Sequence, residues 1–352
     1  MRSCNRAVKA VRRFAPVDWA AVELPPLAAD AGIRCMPIPT PFAVGRVNCW
    51  LIEDSPLTLV DVGPNSARSL DVLERGLARF GHRLEDLELI VLSHQHLDHT
   101  GLAGLLAQRS GAEVAALGAL SSWLGDHGKA VEEDDVFATE IMREHGIPDD
   151  VRLALRGVSA SFRGWGGSVQ VTRPLEEGSV LRLRDRELHV HHRPGHSPSD
   201  VVLHDRSRGI LIAADHLIRH ISSNPLISRP LGEGPDAERP HALEIYLTSM
   251  QRTQAMEDVS VVLTGHGDPI SDPVALIDER FRGHDRRKGK ILGLIREQPR
   301  TAHEIAGEIW GDVAVTQAYL TLSEVIGHVD LLVADGLVEA RRDTGVTVWH
   351  AV

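Results

Sequence analysis

Residues Ser93-His94-Gln95-His96-Leu97-Asp98-His99 place four metal-ligand side chains within six positions, directly after the apolar run Leu89 to Leu92 and ahead of a Gly101-led helical pattern. Imidazole and carboxylate are ligands of borderline divalent cations such as zinc. At a strand-to-loop turn alternate side chains share one side, so His94 and His96 can meet one metal while Asp98 and His99 turn towards a neighbour. Four ligand-type side chains at this density beside a strand end favour a metal over a surface or core feature.

Four further pieces have the same placement at a strand exit. They are Asp61 in Leu59-Val-Asp-Val-Gly63, His196 in Arg193-Pro-Gly-His-Ser-Pro198, Asp215 after Gly209-Ile-Leu-Ile-Ala-Ala214, and His266 in Thr264-Gly-His-Gly267. Taken singly each is a weak signal, and Asp215 reads equally well as a solvated strand end. Gly195 and Gly265 precede histidines, where a missing side chain lets the backbone bend sharply and aim the ring.

Short β-branched runs alternate with helical periodicity up to about residue 280, which predicts a sheet-rich α/β layout. Strands are expected at Ile33 to Ile38, Asn48 to Ile52, Thr58 to Val62, Leu89 to Leu92, Glu113 to Ala116, Val180 to Leu183, Leu188 to His191, Val201 to His204, Ile210 to Ala213 and Val259 to Leu263. Helices are expected over Ala67 to Phe80, Gly101 to Arg109, Asp134 to His145 and Ala242 to Met256. The helix-and-loop stretch Ser121 to Gly167, carrying Trp123, Phe137, Met142, Phe162 and Trp165, is read as a substrate wall, with plain packing as the alternative for each aromatic.

From Gly283 a basic start (Arg286, Arg287, Lys288, Lys290) leads into helical patterns and then a hairpin around Asp343, Thr344 and Gly345. Three helices and a hairpin make a winged-helix outline. The expected organisation is an amino-terminal extension over 1–30, a catalytic domain over 31–282 and a winged-helix-like domain over 283–352.

A net charge of -11 argues against nucleic acid, whose binding is dominated by Lys and Arg on phosphates. The basic stretch Met1 to Ala15 lacks a signal-peptide core, and no run approaches the roughly 20 apolar residues of a membrane span, so a cytoplasmic protein is expected. Cys4, Cys35 and Cys49 show no metal or disulfide spacing and read as ordinary thiols. The 19 histidines, clustered beside Asp and Gly, direct attention to metal.

The ordered set His-x-His-x-Asp-His, Gly-His, Asp, Gly-His resembles the metallo-β-lactamase-fold superfamily over about Ile33 to Ser271. The resemblance implies a four-layer αββα sandwich with two divalent metal ions, zinc first and iron or manganese as alternatives. One ion would sit on His94, His96 and His196, a second on Asp98, His99 and His266, with Asp215 bridging. It further implies a metal-dependent hydrolase in which a bridging hydroxide attacks an ester or thioester carbonyl of a small molecule. Asp98 or metal-bound water would carry the proton to the leaving group, and Asp61 would orient the histidine loop.

The segment Asp215 to Leu226 and the terminal outline look like the lactamase-like hydrolases that carry a winged helix. That group is similar both to thioester and ester hydrolases, the hydroxyacylglutathione-hydrolase-like branch among them, and to a mitochondrial endoribonuclease family. Charge favours the small substrate, because RNA readers show basic stripes with stacking aromatics and the Arg286 to Lys290 cluster reads as a solvated helix start. A mono-iron persulfide-dioxygenase-like enzyme using His94, His196 and Asp215 stays open. The flavodiiron type has Glu where position 96 is His. The wing is read as a structural or dimerisation element, which leaves a homodimer open as a partner.

Overall fold

The computed structural model describes residues 22–352, so the basic stretch Met1 to Ala15 and Cys4 lie outside the described residues. Two sheets carry the catalytic part. The first contains β1 (Ile33–Ile38), β2 (Val47–Ile52), β3 (Thr58–Val60), β4 (Leu89–Val91), β5 (Glu113–Leu117) and β6 (Arg173–Leu175), side by side in that order. Pairing is antiparallel from β1 to β3 and parallel from β3 to β6. The parallel strands β3 and β4 are buried throughout, which is why Thr-Leu-Val and Leu-Ile-Val carry no polar alternation.

The second sheet runs β11 (Val261–Thr264), β10 (Ile210–Ala214), β9 (Val201–Asp205), β8 (Glu187–His192), β7 (Val180–Arg182), antiparallel except for β10 beside β11. Its side chains divide by the two-residue period of a strand. Val201, Leu203, Ile210, Ile212, Val261 and Leu263 join the core between the sheets. Val202, Leu211, Ala213 and Val262 face the other way, onto Leu243, Tyr246 and Met250 of helix Ala242–Gln254 and Ile277 of helix Pro273–Glu297. Helices Ala67–Arg79 and Ala103–Ser110 contribute Val72, Leu73, Leu77 and Leu106 to the first core. The layers are therefore helix, sheet, sheet, helix, as expected for an αββα sandwich. The short helix Pro26–Asp30 also enters the first core through Ala28, so the end of the expected extension packs with the sandwich.

The two sheets are tied where the histidines gather. Val47 bridges to His266, Asn48 N donates to the Gly265 carbonyl at 2.6 Å, and Asn48 Nδ2 donates to the carbonyls of Thr264 and Gly267 at 3.1 and 2.8 Å.

Helix Pro273–Glu297 is continuous through position 283, where the sequence changes character, so the catalytic and terminal parts share one element. Beyond it come β12 (Arg300–Thr301), helices Ala302–Trp310, Val313–Thr316 and Ala318–Ala334, and the hairpin β13 (Val338–Asp343) and β14 (Val346–Ala351). The three strands form an antiparallel sheet in the order β12-β14-β13. Thr344 and Gly345 have φ of 50° and 89°, as a two-residue hairpin turn requires.

The Ser121 to Gly167 stretch departs from the reading as a substrate wall. Phe137, Ile141 and Met142 of helix His127–Glu144 enter a second core with Ile291, Leu322, Ile326 and Trp349 of the terminal part. Trp123 is buried and donates to Asp134 at 2.8 Å, and the Trp165 carbonyl accepts from Asn65 N at 2.7 Å. The Phe137, Ile141, Met142 and Trp123 side chains pack, and the apolar area that the first three remove from water holds the terminal part on the sandwich. Cys35 and Cys49 are free thiols, and no helix among the described residues is long and apolar enough to cross a membrane.

Candidate metal centre

Strand β4 delivers Ser93 and His94 at its exit, and the chain then closes into the short helix Leu97–Thr100. This helical turn, not strand alternation, separates Asp98 from the His94 and His96 side, while the His99 ring stays 4.1 Å from that of His94. His196 comes from the loop between β8 and β9, Asp215 from the end of β10 and His266 from the end of β11. All seven expected side chains are brought together.

They form two outer groups, His94 with His96 and His196 and Asp98 with His99 and His266, and a third of His94, His99 and Asp215 that overlaps both. His94 Nε2 and His196 Nε2 each lie 3.0 Å from His96 Nδ1. In the other group His266 Nε2 lies 3.4 Å from Asp98 Oδ2, with His99 completing the set. Asp215 stands between them: Oδ1 is 3.4 Å from His99 Nε2, while Oδ2 is 3.4 Å from His266 Nε2 and 3.6 Å from His196 Nε2. Metal–nitrogen bonds of about 2.0–2.1 Å in a tetrahedral site give ligand–ligand edges of about 3.3 Å. The side chains thus fit divalent cations. His99 Nε2 and Asp215 Oδ1, 3.4 Å apart, are buried and make no hydrogen bond among the described residues, an arrangement that is costly unless something else meets them.

Burial holds His94 and His196 below the ordinary imidazole value and His96 down at about 3, so these rings are neutral and offer lone pairs. Burial also opposes the charged form of His266, yet Asp215 and Asp98 outweigh it and hold its pKa up at about 10. Burial likewise works against the Asp215 carboxylate, but His266 and His99 keep it well below the usual range.

Four of the five rings, His94, His99, His196 and His266, are fixed from behind at their outer nitrogen. Asp61 accepts from Ser93 N at 2.9 Å and Ser93 Oγ at 2.8 Å, and its Oδ2 lies 2.7 Å from His99 Nδ1. Both its oxygens are thus occupied away from the centre, where Asp61 can orient His99 and the histidine loop. His266 Nδ1 is 2.7 Å from the Arg46 carbonyl, His196 Nδ1 is 3.2 Å from the Asn224 carbonyl, and His94 Nδ1 is 2.9 Å from Ser93 Oγ. Asp200, missed in the sequence, is buried 3.9 Å from His94 Nδ1 and accepts from Ser197 N at 2.7 Å. Burial pushes its carboxyl well above the usual range.

The two glycines act differently from one another. Gly195 has φ of +143° and leaves no room for a Cβ, which would lie 2.4 Å from Tyr246 Cα. Gly265 needs no unusual dihedral; its missing Cβ would fall 2.0 Å from Asp215 Oδ1, so it supplies space rather than the expected bend. Backbone strain sits at Asp61 and Ala214, with φ of 59° and 45° at two strand exits that face the centre.

A sequence model of the metallo-β-lactamase superfamily matches residues 43–266, which encloses the whole centre. The chain belongs to the metallo-β-lactamase superfamily. YqjP of Bacillus subtilis (strain 168), named a "probable metallo-hydrolase", is 30% identical over 323 residues, covering 89% of this chain and 95% of that protein. The acyl-coenzyme A thioesterase MBLAC2 of Bos taurus is 30% identical over 190 residues, 48% of this chain and 58% of that protein. The crystal structure of a beta-lactamase domain protein from Burkholderia ambifaria superposes with a TM-score of 0.78 at 24% identity, covering 97% of both chains. This member of the superfamily is a metallo-hydrolase, with His and Asp groups able to hold metal ions.

Proposed function

We propose that this metallo-hydrolase cleaves the thioester of a small acyl molecule at a centre of two divalent cations, zinc foremost. His94, His96 and His196 would hold one cation, Asp98, His99 and His266 the other, and Asp215 both. Bound there, the cations would lower the pKa of a shared water, polarise the acyl carbonyl and stabilise the oxyanion.

The observation that carries the substrate reading is a cavity of about 320 Å³ beside the His196 loop, lined by Leu117, Pro194, Pro198, Leu226, Leu231 and Ile245 among others. Its wall is almost wholly apolar, and Gly195 and Ser197, the neighbours of His196, belong to it. An acyl chain laid there gains about 0.8 kcal/mol for each buried methylene. Leaving-group chemistry agrees. A thiol with a pKa of about 8.5 departs as thiolate with little help, whereas an alkoxide needs a strong proton donor. The carboxylate of Asp98 is the group we assign to carry a proton to the departing sulfur, through Oδ1, since Oδ2 lies 3.4 Å from His266 Nε2 and would face the cation. Asp61, Ser93 and the Arg46 and Asn224 carbonyls keep the rings in place throughout.

Steady-state turnover of a panel of acyl thioesters, matched oxygen esters and RNA tests this. Thioesters should lead with kcat/KM rising with acyl length; RNA cleavage without thioester turnover would overturn it.

A further inference from the structure

On the other side of the loop that follows Asp215 lies a second cavity, of about 490 Å³, with the opposite character. Ser222, Arg280, Arg286, Arg287, Lys290 and Trp310 line it, together with His284 and two carboxylates, Glu279 and Glu324. Four cationic side chains against two anionic ones leave a surplus of positive charge in a chain whose net charge is -11. The carboxylates are spoken for: Glu324 lies 3.3 Å from Arg287 and Glu279 lies 3.6 Å from Arg280. Arg286 and Lys290 make no ion pair among the described residues and are exposed on one face of helix Pro273–Glu297, four residues apart.

Arg287 lies over the Trp310 ring, 4.9 Å from its centroid, and forms a flat platform at the cavity wall. Arginine, lysine and an aromatic face together suit phosphate groups and a stacked base. The volume falls within the range of small-ligand pockets.

The cavity is also wired to the metal centre. Ser222 forms its wall, Ser223 Oγ donates to the Asp215 carbonyl at 2.5 Å, and the Asn224 carbonyl meets His196 Nδ1. Arg280, from the same helix, clamps this loop through the carbonyls of Ile218, Arg219 and Ile221 at 3.1, 2.9 and 3.1 Å. The cavity and the metal centre thus share one loop, residues 215–224, which meets both.

We propose that this cavity binds the phosphorylated nucleotide end of an acyl-thioester substrate, with phosphate on Arg286, Arg287 and Lys290 and the base beside Trp310. The assignment of the bound molecule as substrate rests on the thioesterase reading above. Two measurements separate the claims. Calorimetric titration with adenosine 3′,5′-bisphosphate reads the cavity without any turnover, on the metal-loaded wild type and on the double variant Arg286→Glu, Lys290→Glu. Kinetics with an acyl-coenzyme A, and with the same acyl group on N-acetylcysteamine, read the handle. The wild type should bind the bisphosphate and the variant should not. KM for the coenzyme A ester should rise about tenfold or more in the variant, as the loss of charge-assisted contacts implies, with kcat and the N-acetylcysteamine ester unchanged. Probe binding that is lost in the variant supports the cavity even if no thioester is turned over, in which case the thioesterase reading fails alone. Absent binding in the wild type, or an equal rise in KM for both esters, overturns the proposal. Probe binding with an unaltered coenzyme A KM in the variant also overturns it, and makes the cavity a site for free nucleotide.

Discussion

Replacing Gly265 with alanine should empty the shared position of the centre while leaving the fold intact. A Cβ at 265 would stand 2.0 Å from Asp215 Oδ1 and 2.9 Å from His99 Cε1, whereas ordinary contact begins near 3.4 Å. The main chain has little freedom to absorb this, since Gly265 N donates to the Ala214 carbonyl at 2.8 Å and Ala214 already holds a φ of 45°. The Asp215 carboxylate must therefore retreat by more than an ångström, against a tolerance of about 0.2 Å for a metal ligand. Misplacement of that size costs on the order of 100-fold in rate. Gly265→Ala should lose metal and at least this much turnover, with a melting temperature within a few degrees of wild type. The control is Gly289→Ala on helix Pro273–Glu297, where a Cβ meets nothing within 4 Å and helix propensity gains up to about 1 kcal/mol. Elemental mass spectrometry, turnover and a thermal melt on the same preparations decide the matter. A Gly265→Ala protein with full metal and wild-type turnover would refute the reasoning.

Asp61→Asn leaves His99 Nδ1 without its carboxylate and should weaken metal affinity by about 10–100-fold in chelator competition; unchanged affinity would deny Asp61 its positioning role. Arg239 pairs with Asp330 through two contacts of 2.6 Å, the latter nearly buried, so Arg239→Ala should cost about 1–3 kcal/mol in urea unfolding, and an unmoved midpoint would contradict this. Ile245→Trp narrows the apolar cavity and should depress kcat/KM for long acyl chains more than for short ones; a uniform fall across chain lengths would exclude the cavity as the acyl site. Burial lowers His145 from its ordinary 6.5 to about 3, so the unfolded chain takes up a proton there first as the pH falls. The stability it contributes is complete above pH of about 6.5 and is lost on acidification towards about 3. His145→Phe, which keeps a ring against Trp349, should therefore reduce the drop in urea midpoint between pH of about 7 and 5; an equal drop in both proteins would count against it.

The metal-site pattern was legible because its functional groups are side chains, read directly from residue type. All ten expected strands appear, since each is a β-branched or apolar run with turn residues at its ends. Strand β6, Arg173–Leu175, escaped notice: three residues with a central proline read as a loop, and proline is tolerated there at the sheet edge. The backing of the rings was partly hidden for a different reason. Arg46 and Asn224 act through carbonyls, which every residue has, and Asp200 meets His94 only because the two sheets pack and Val201 N beside it donates to the Ser93 carbonyl. The role of Gly265 as space, rather than as a hinge, likewise depends on where Asp215 ends up. Phe137 and Met142 look like pocket aromatics and apolars in sequence, but the terminal part supplies a core that takes them in. Arg286 and Lys290 reverse that lesson, because a charge cluster that reads as a solvated helix start lines a cavity once Trp310 is folded beside it.

The central claim is that the seven side chains hold two cations that Asp215 shares. Its most direct test is metal stoichiometry per chain, by elemental mass spectrometry on untagged protein after reconstitution, for the wild type and for Asp215→Ala. About two zinc or similar divalent ions in the wild type, and markedly fewer in the variant, are the result predicted here. A single iron, no metal at all, or a variant that retains both ions would contradict it.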